Sequence, residues 1–444
     1  MKKFFETLRN IWKIEDLRSR ILYTLGILLI YRLGTHVVLP GIDPTRLAGL
    51  AQPSGNILDI INLFTGGAFA RASIFGLGIM PYISASIVIQ LLGIAVPYFQ
   101  KLQREGESGR RKINQITRYL TVGILLLQAP TYIASLSYQL PADAFSANFS
   151  KLGSIVILTA GTMFIMWLGE RITDKGIGNG ISLIIMIGII ARLPQSIGLE
   201  FMSRLEQQGG GLVAFLVEIL IMFVVFMLTI LLVQGTRRIP VQYAKRIVGN
   251  KQYGGVRQYI PLKVNAAGVM PIIFAQALMF IPITIAGFAS SDSATGVAAT
   301  FSNITGFWYN FTNAILIILF TYFYTAVTVN PTQMAEDMKK NGGFIPGVKP
   351  GRKTAEFLDT IMSRITLPGS VFLAIVAIMP AFAMIAGVNR SFAQFFGGTS
   401  LLIMVGVILD TLQQVESHLL MRHYDGLMKS GKIKGRAGGS ASGM

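Results

Sequence analysis

The stretch INLFTGGAFARASIFGLGIMPYISASIVIQLLGIAVP, residues 61–97, joins a broken half-segment to a long apolar one. The apolar second half is long enough to cross a hydrocarbon core of about 30 Å as a helix. The first half is too short and too polar to cross, and it carries Gly66, Gly67 and the charged Arg71. Irregular backbone at membrane depth is tolerated only where protein or a water-filled cavity surrounds it. The stretch therefore predicts a spanning helix whose preceding segment is enclosed by the rest of the molecule.

Apolar segments of similar length recur along the whole chain. Of its 444 residues, 52% are hydrophobic and 14% are charged, whereas a soluble protein carries about 25% charged residues. Because only helices and closed barrels satisfy the backbone in lipid, the composition predicts an all-α polytopic membrane protein. We expect ten transmembrane helices, at residues 21–39, 74–97, 119–136, 152–168, 181–193, 212–233, 266–288, 311–329, 367–388 and 401–420.

The distribution of positive charge predicts the orientation of the chain. With a cytoplasmic N-terminus and ten spans, 32 of the 39 Lys and Arg residues lie on segments that face the cytoplasm. This asymmetry follows the positive-inside rule, so we expect both termini in the cytoplasm, with residues 421–444 as a basic tail. Residues 1–20 predict an amphipathic helix at the cytoplasmic interface rather than a cleavable signal peptide. Its apolar face consists of Phe4, Leu8, Ile11 and Trp12.

A short repeat divides the chain into two halves. GIMP, residues 78–81, opens the second predicted span, and GVMP, residues 268–271, opens the seventh. An offset of five spans makes the two copies cross in opposite directions, which is typical of an inverted repeat of two five-helix halves, residues 21–200 and 212–420. The alternative is two coincidental helix starts, since proline is favoured in the first turn of a helix.

The path expected between the two broken helices is apolar. A solute transporter would place carboxylates or histidines on this path. Glu218 is alone in span six, Asp410 lies near the end of span ten, and Arg32 lies near the end of span one. The side chains around Pro81 and Pro271 are mostly isoleucine. We therefore expect an apolar constriction, which gates by excluding water.

Residues 62–75 precede the broken second span on the outer side of the predicted membrane. Small side chains dominate this segment, so it can pack closely and still leave. We interpret it as a short re-entrant half-helix that acts as a removable stopper for an outward-facing vestibule. An ordinary interfacial loop helix is the alternative interpretation.

Two cytoplasmic loops, residues 235–265 and 331–366, are long and basic. The first alternates residues about a Gly-Asn and a Gly-Gly pair, which predicts a hairpin that projects into the cytosol. Long structured loops commonly carry function. Basic loops of this density suit an acidic protein surface or a phosphate backbone.

The sequence offers no enzyme signature. GxxxxGK[ST], HExxH and GxSxG do not occur, and the glycines of DKGIGNGIS, residues 174–182, predict a tight cytoplasmic turn. The absence of cysteine excludes disulfides, thiol catalysis and Cys-ligated metals. The three histidines are scattered along the chain. We expect no catalysis, no cofactor and no metal site.

Seven runs of sequence carry a family resemblance that covers residues 18–426. They are GGAFARASIFGLGIMPYISASIVIQLL, EGESGRRKINQITRY, GTMFIMWLGERITDKGIGNGIS, RRIPVQYAKR, IPLKVNAAGVMP, FIPGVKPGRKT and FGGTSLLIMVGVILD. The chain resembles the SecY family, the channel subunit of the bacterial protein-conducting translocon. The resemblance implies an hourglass channel between two five-helix halves in the bacterial plasma (inner) membrane. Such a channel conducts unfolded secretory polypeptides and releases transmembrane segments sideways into lipid.

The resemblance also implies three sets of functional residues. An aliphatic ring forms the constriction, a plug that corresponds to the stopper closes it, and a lateral gate lies between spans two and three and spans seven and eight. The implied ring is Ile79, Ile83, Ile185, Ile273, Ala277 and Ile403. The implied plug residues include Asn62, Phe64, Gly66, Gly67, Arg71 and Ser73. The implied gate residues are Ser84, Gln90, Gln128 and Asn265, with Ile281 across the seam from Ser84.

The partners implied by the resemblance are the SecA ATPase, the ribosome, SecE and SecG subunits, signal peptides, nascent chains and membrane lipid. The two basic loops match the surface that docks the motor and the ribosome. Its residues here are Arg237, Arg238, Lys245, Arg246, Lys251, Arg257, Lys339, Lys340, Lys349, Arg352 and Lys353. Lys349 stands where the family usually has arginine, and lysine lacks the bidentate fork of a guanidinium. An inverted-repeat secondary transporter and a membrane-embedded enzyme are the alternative functions.

Overall fold

The structure is a computed structural model of the chain. It describes residues 12, 14–45, 47, 62, 65–140, 144–145, 150–206, 211–243, 246–248, 251–253, 257–276, 278–279 and 303–429. Most of the predicted N-terminal amphipathic helix and the last part of the basic tail lie outside the described residues.

The first part of the described chain is helical. Its helices are α1 Glu15–Gly34, α2 Met80–Ala95, α3 Pro97–Arg104, α4 Glu107–Gln139, α5 Lys151–Lys175, α6 Gly180–Ile190 and α7 Leu193–Glu206. Side chains at two helix starts satisfy free backbone donors. Ser150 accepts a hydrogen bond from Gly153 N before α5, and Asn179 accepts from Ile181 N and Ser182 N before α6.

The second part contains the remaining helices and a small sheet. Its helices are α8 Gly211–Gln234, α9 Phe307–Thr328, α10 Pro331–Lys340, α11 Arg352–Ile385, α12 Arg390–Ala393 and α13 Gly398–Lys429, and residues 270–276 are also helical. The strands are β1 Thr236–Tyr243, β2 Arg246–Val248, β3 Lys251–Tyr253, β4 Arg257–Lys263 and β5 Gly343–Phe344.

Nine of the ten predicted spans overlap a described helix, and the seventh, residues 266–288, is described only in part. Among the described helical stretches, six are long and apolar enough to cross a membrane, and a seventh results if α2 and α3, bent by 101°, form one span. The six are Lys151–Lys175, Gly180–Glu206, Gly211–Gln234, Phe307–Lys340, Arg352–Ile385 and Gly398–Leu420. The chain is therefore a multi-pass membrane protein, and the count of ten helices stays a prediction.

The predicted start of the second span is wrong. The span was expected from residue 74, but α2 begins at Met80, and residues 74–79 form turns. Gly78 has a φ of 56°, a left-handed conformation that glycine adopts without strain and that does not continue an α-helix. The apolar side chains before Met80 therefore pack inside the protein on irregular backbone.

Many large apolar side chains cover the outside of the helices. Leu127, Val213 and Leu220 are more than 60% exposed, and α8 buries few of its residues. Such a continuous apolar exterior is unfavourable in water and suits the lipid of a bilayer. Large buried clusters lie around α1, α5 and α6, around α4 and α5, and around α8, α9, α11 and α13.

The predicted hairpin in the first basic loop is confirmed. β1 pairs with β4 in antiparallel register from Thr236↔Lys263 to Gln242↔Arg257, and β2 pairs with β3 at its tip. β5, from the second basic loop, pairs with the other edge of β1 and completes the order β4-β1-β5. The buried face of the sheet packs against α10 and α11, so the two basic loops form one folded unit.

Candidate functional site: an apolar constriction and its stopper

Five of the six predicted ring residues lie in one hydrophobic cluster, called here the isoleucine cluster. Ile79, Ile185 and Ile403 are 5%, 3% and 2% exposed, and Ile83 and Ile273 are partly buried against them. The sixth residue, Ala277, lies outside the described residues. The structure brings together side chains that are up to 324 positions apart in the sequence.

The isoleucine cluster draws its members from separate elements. Ile79 precedes α2, Ile83 lies on α2, Ile185 lies on α6, Ile273 lies in the helical residues 270–276, and Ile403 lies on α13. Aliphatic side chains offer water no hydrogen-bond partner, so such a contact excludes water and ions without binding either.

The two GxMP motifs adopt the same local structure. Gly78 and Gly268 have φ values of 56° and 63°, and helices begin at Met80 and at residue 270. Pro81 and Pro271 therefore both fall in the first helical turn, where a missing N–H costs no helical hydrogen bond. Because each motif places an isoleucine of the cluster within its first turns, the two broken helices meet the same apolar contact.

The stopper is not a half-helix over the residues that the structure describes. Residues 65–75 form successive hydrogen-bonded turns, so the helical prediction for them is wrong. Gly66, Gly67 and Ala72 have φ values of 63°, 92° and 46°, and a positive φ interrupts a right-handed helix. Phe64 lies outside the described residues.

Hydrogen bonds within the stopper hold these turns together. Asn62 Oδ1 accepts from Ala70 N at 3.1 Å, and Asn62 O accepts from Gly67 N at 2.8 Å. Thr65 Oγ1 accepts from Phe69 N at 3.2 Å. The turns therefore make the stopper a compact segment whose backbone groups bond mainly within the segment.

A few polar contacts attach the stopper to neighbouring helices. Arg32 Nη1 donates to Gly66 O at 2.9 Å, Tyr132 Oη donates to Phe69 O at 2.8 Å, and Ser73 Oγ donates to Gly34 O at 3.0 Å. Ala68 and Phe75 are buried in the same cluster as the isoleucines. The stopper thus packs against the isoleucine cluster and is held by single side-chain hydrogen bonds. A β-bridge between Val38 and Ser73 also holds it, in which Leu39 N donates to Ala72 O and Ile74 N donates to Val37 O.

Two arginines that looked isolated in the sequence have partners here. Arg32 binds the stopper backbone, and Arg71 Nη1 lies 3.1 Å and 3.2 Å from the two ring nitrogens of His36. Arg71 is therefore placed against the turn that follows α1. Neither contact could be read from sequence spacing, because the partners are more than 30 positions apart.

The predicted gate residues do not bond to one another within the described part of the chain. Ser84 Oγ donates to Met80 O at 3.2 Å, Gln90 Nε2 donates to Ser86 Oγ at 3.4 Å, and Asn265 Nδ2 donates to Gly268 O at 3.0 Å. Gln128 is exposed, and Ile281 lies outside the described residues. Their role at a gate stays a prediction.

Glu218, which looked alone in span six, belongs to a buried ion cluster. Arg204 Nε donates to Glu200 Oε1 at 2.9 Å, and Arg204 Nη2 donates to Glu218 Oε1. Glu200 Oε2 also accepts from Asn389 N at 2.8 Å. The cluster joins α7, α8 and the turn before α12. The four-residue spacing of Glu200 and Arg204 is a sequence signal for their ion pair, whereas the contact to Glu218 depends on the tertiary fold.

The basic loop residues that the structure describes are exposed. The exposed residues are Arg237, Arg238, Arg257, Lys339, Lys340, Lys349, Arg352 and Lys353. Arg352 and Lys353 form ion pairs with Glu356 at 3.3 Å and 2.9 Å, so part of the positive charge is neutralised within the loop. Lys245 lies outside the described residues, and Arg246 and Lys251 lie on β2 and β3.

Relatives of the whole chain are protein translocase subunits. A family model described as SecY matches residues 73–412. "Protein translocase subunit SecY" of Streptomyces coelicolor is 42% identical over 435 residues, which cover 94% of this chain and 98% of the relative. The subunit of the same description from Mycobacterium tuberculosis is 41% identical over 452 residues, which cover 97% of this chain and 100% of the relative.

Solved structures share the fold. "The structure of a protein conducting channel" matches with a TM-score of 0.62 and 18% identity over 90% of this chain and 92% of that chain. A structure whose description assigns a plug domain to the SecY protein matches with a TM-score of 0.59 and 18% identity over the same shares. Sec61 in the canine ribosome–channel complex matches with a TM-score of 0.58 and 17% identity, again over 90% and 92%.

The family match spans more than half of the chain, and the curated relatives match it over nearly its full length. The helical fold agrees with that of the channel structures. The chain belongs to the SecY family of protein translocase subunits.

Proposed function

We propose that this chain is a passive, gated channel for unfolded polypeptide and performs no catalysis of its own. The observation that carries the proposal is the isoleucine cluster, in which side chains from four separate stretches of the chain pack together with the stopper. A conduit for polypeptide needs a seal that binds no particular side chain. An aliphatic contact provides this, because it excludes water when closed and makes no directional bond with a passing chain.

The closed state is stabilised by two layers. The isoleucine cluster seals the path, and the stopper packs against it. The stopper is attached by a few hydrogen bonds, which contribute about 0.5–1.5 kcal/mol net for a neutral donor such as Tyr132 and about 1.5–3 kcal/mol for the charged donor Arg32. An entering chain can replace contacts of this size, so the stopper can leave and return.

The seam between the two proposed halves is the exit toward lipid. In this proposal α2 and α4 move apart from the helical residues 270–276 and α9. The matched geometry of Gly78 and Gly268 supports an inverted repeat of residues 21–200 and 212–420. Polar contacts in lipid contribute only about 0.6–2 kcal/mol each, so an apolar signal sequence competes with them. Polar substrate segments cross, and apolar segments leave sideways.

The sheet and the two basic loops are the proposed docking surface. Cationic side chains on a rigid sheet present a fixed positive field to an acidic protein surface or to ribosomal RNA. The SecA ATPase and the ribosome are the partners that fit this surface, and they supply the energy for movement. SecE and SecG subunits complete the channel in the plasma (inner) membrane, with both termini of this chain in the cytoplasm.

A secondary transporter is not supported. The relatives are translocase subunits, and Glu218, the carboxylate within span six, is paired with Arg204. No group of three or more His, Cys, Asp or Glu residues suited to a metal ion occurs in the described part of the chain.

Reconstitution tests the proposal directly. We expect liposomes that contain this chain with its partner subunits to import a signal-bearing secretory protein when a SecA-type motor and ATP are added. The same liposomes without the motor are the control for leakage. Uptake of a small solute without uptake of the secretory protein would contradict the proposal.

A further inference from the structure

The turn between α5 and α6 is held by three different helices. Ile177 N donates to Thr24 Oγ1 of α1 at 3.1 Å, and Gly180 N donates to Thr173 Oγ1 of α5 at 2.9 Å. Gly178 N donates to Gln414 Oε1 of α13 at 2.8 Å. The first two bonds stay within the N-terminal part of the chain, whereas the third crosses to the last helix, 236 positions away.

The contact with α13 requires glycine at position 178. Gly178 has a φ of 84°, which L-residues with a side chain rarely adopt. A Cβ atom there would lie 3.1 Å from Thr411 Oγ1 and 3.0 Å from Leu183 Cδ1. The turn therefore lies directly against α13, and the hydrogen bond to Gln414 is part of a close fit between the turn and this helix.

The two helices joined at this point both carry members of the isoleucine cluster. Ile185 lies on α6, seven residues beyond Gly178, and Ile403 lies on α13, eleven residues before Gln414. At about 1.5 Å per residue, the hydrogen bond between Gly178 and Gln414 lies roughly 10 Å from Ile185 along α6 and roughly 16 Å from Ile403 along α13. A shift of α13 at this hydrogen bond therefore moves Ile403 relative to Ile185.

We propose that Gln414 is a positioning residue for the seal. Its side-chain oxygen accepts the Gly178 N–H, fixes α13 against α6 and so holds Ile403 against Ile185 when the channel is closed. The inference rests on the proposed function, because it assigns Gln414 a part in the same closed state. The contact lies on α6 and α13, away from the seam proposed between α2 and α4 on one side and residues 270–276 and α9 on the other. It therefore acts as a pivot rather than as part of the opening.

The adjacent residue provides a matched control. Gln413 and Gln414 are both exposed side chains of the same type on α13. Of these two described residues, only Gln414 forms a hydrogen bond to the α5–α6 turn. Gln414→Leu removes the acceptor, Gln414→Glu keeps an oxygen acceptor, and Gln413→Leu makes the same loss of polarity one position away.

The test measures ion conductance of the idle channel and uptake of a secretory protein in reconstituted liposomes. We expect Gln414→Leu to raise idle conductance by about two- to tenfold, the factor that one hydrogen bond is worth in an equilibrium. Gln414→Glu and Gln413→Leu should match the unmodified chain, and all variants should still import protein.

Two results would overturn the positioning role. One is equal idle conductance for Gln414→Leu and Gln413→Leu, and the other is a Gln414→Glu variant as leaky as Gln414→Leu. A failure of the proposed function is a different result, since the unmodified chain would then import no secretory protein. Thermal unfolding of each variant shows whether a raised conductance reflects a shifted seal or a misfolded chain, and a misfolded Gln414→Leu chain would contradict the proposed role.

Discussion

Ile403 is the residue on which the seal can be tested most simply. It is 2% exposed and packs with Ile79 and Ile185. Replacing it with asparagine places an amide in a contact that excludes water, so hydration of the path becomes easier. We expect Ile403→Asn to raise ion leak and to relax the demand for a strongly apolar signal sequence. Single-channel conductance and import of proteins with weakened signals measure the two effects.

The control for Ile403→Asn is Ile408→Asn on the same helix. Ile408 is 40% exposed and lies outside the cluster. Its substitution makes the same chemical change without touching the seal, so conductance should stay at the level of the unmodified chain. Equal leak from both variants would contradict the assignment of Ile403 to the constriction.

Arg204 is a second residue whose role is specific. Arg204→Met would leave Glu200 and Glu218 buried without their shared guanidinium, and breaking a buried pair costs about 3–5 kcal/mol. We expect a clearly lower thermal unfolding temperature in lipid or detergent. Arg111→Met, which removes the exposed pair with Glu107, should cost at most about 1 kcal/mol. A similar change for both would contradict a structural role for the buried cluster.

Residue patterns show what sequence reasoning can and cannot reach. The isoleucines were identified through family motifs, because an apolar residue near a proline looks the same whether it faces lipid or a pore. The pairing of Glu218 was missed because Arg204 and Glu218 lie 14 positions apart on two different helices. The glycines of the stopper indicated a break in the helix, but the positive φ of Ala72 carries no sequence signal.

At the scale of elements, the stopper is attached weakly enough to be loosened by one atom. Tyr132→Phe removes the donor to Phe69 O, and the lost bond is worth about 0.5–1.5 kcal/mol. The state in which the stopper is displaced should then be more populated, so idle conductance should rise while protein import continues. Tyr119→Phe is the matched control, because Tyr119 lies on the same helix and is 76% exposed. Unchanged conductance for Tyr132→Phe would show that this bond does not hold the stopper closed.

The next prediction concerns Lys349 in the second basic loop. Arg352 and Lys353 pair with Glu356, whereas Lys349 is exposed on the loop before α11. Lys349→Glu should therefore weaken motor binding and motor-driven import, with a larger effect at low salt. Lys151→Glu, an exposed reversal at the start of α5, is the control. Normal motor binding by Lys349→Glu at low salt would reduce this loop to a signal for membrane orientation.

The elements were more predictable than their boundaries. Nine predicted spans coincide with helices because a long apolar run has few alternatives in lipid. The start of α2 was misplaced by six residues, since an apolar run cannot distinguish a helix from buried turns. The hairpin was predicted from its alternation, but its third strand, β5, comes from a distant loop and depends on the tertiary fold.

At the scale of the whole molecule, the central claim is that a polypeptide passes through the isoleucine cluster. The chain has no cysteine, so a single introduced cysteine reports only on its own position. Ile403→Cys places the reporter in the cluster, and Ile408→Cys places it on the exposed side of the same helix. A secretory protein that carries one cysteine and is stalled midway by a folded C-terminal domain provides the passing chain.

The deciding measurement is disulfide formation between the stalled protein and each reporter. We expect an adduct with Ile403→Cys that appears only when the motor and ATP have driven the substrate into the channel, and none with Ile408→Cys. An adduct at Ile408→Cys alone, or a stalled substrate that reacts with neither position, would show that the polypeptide takes another path and would contradict the account.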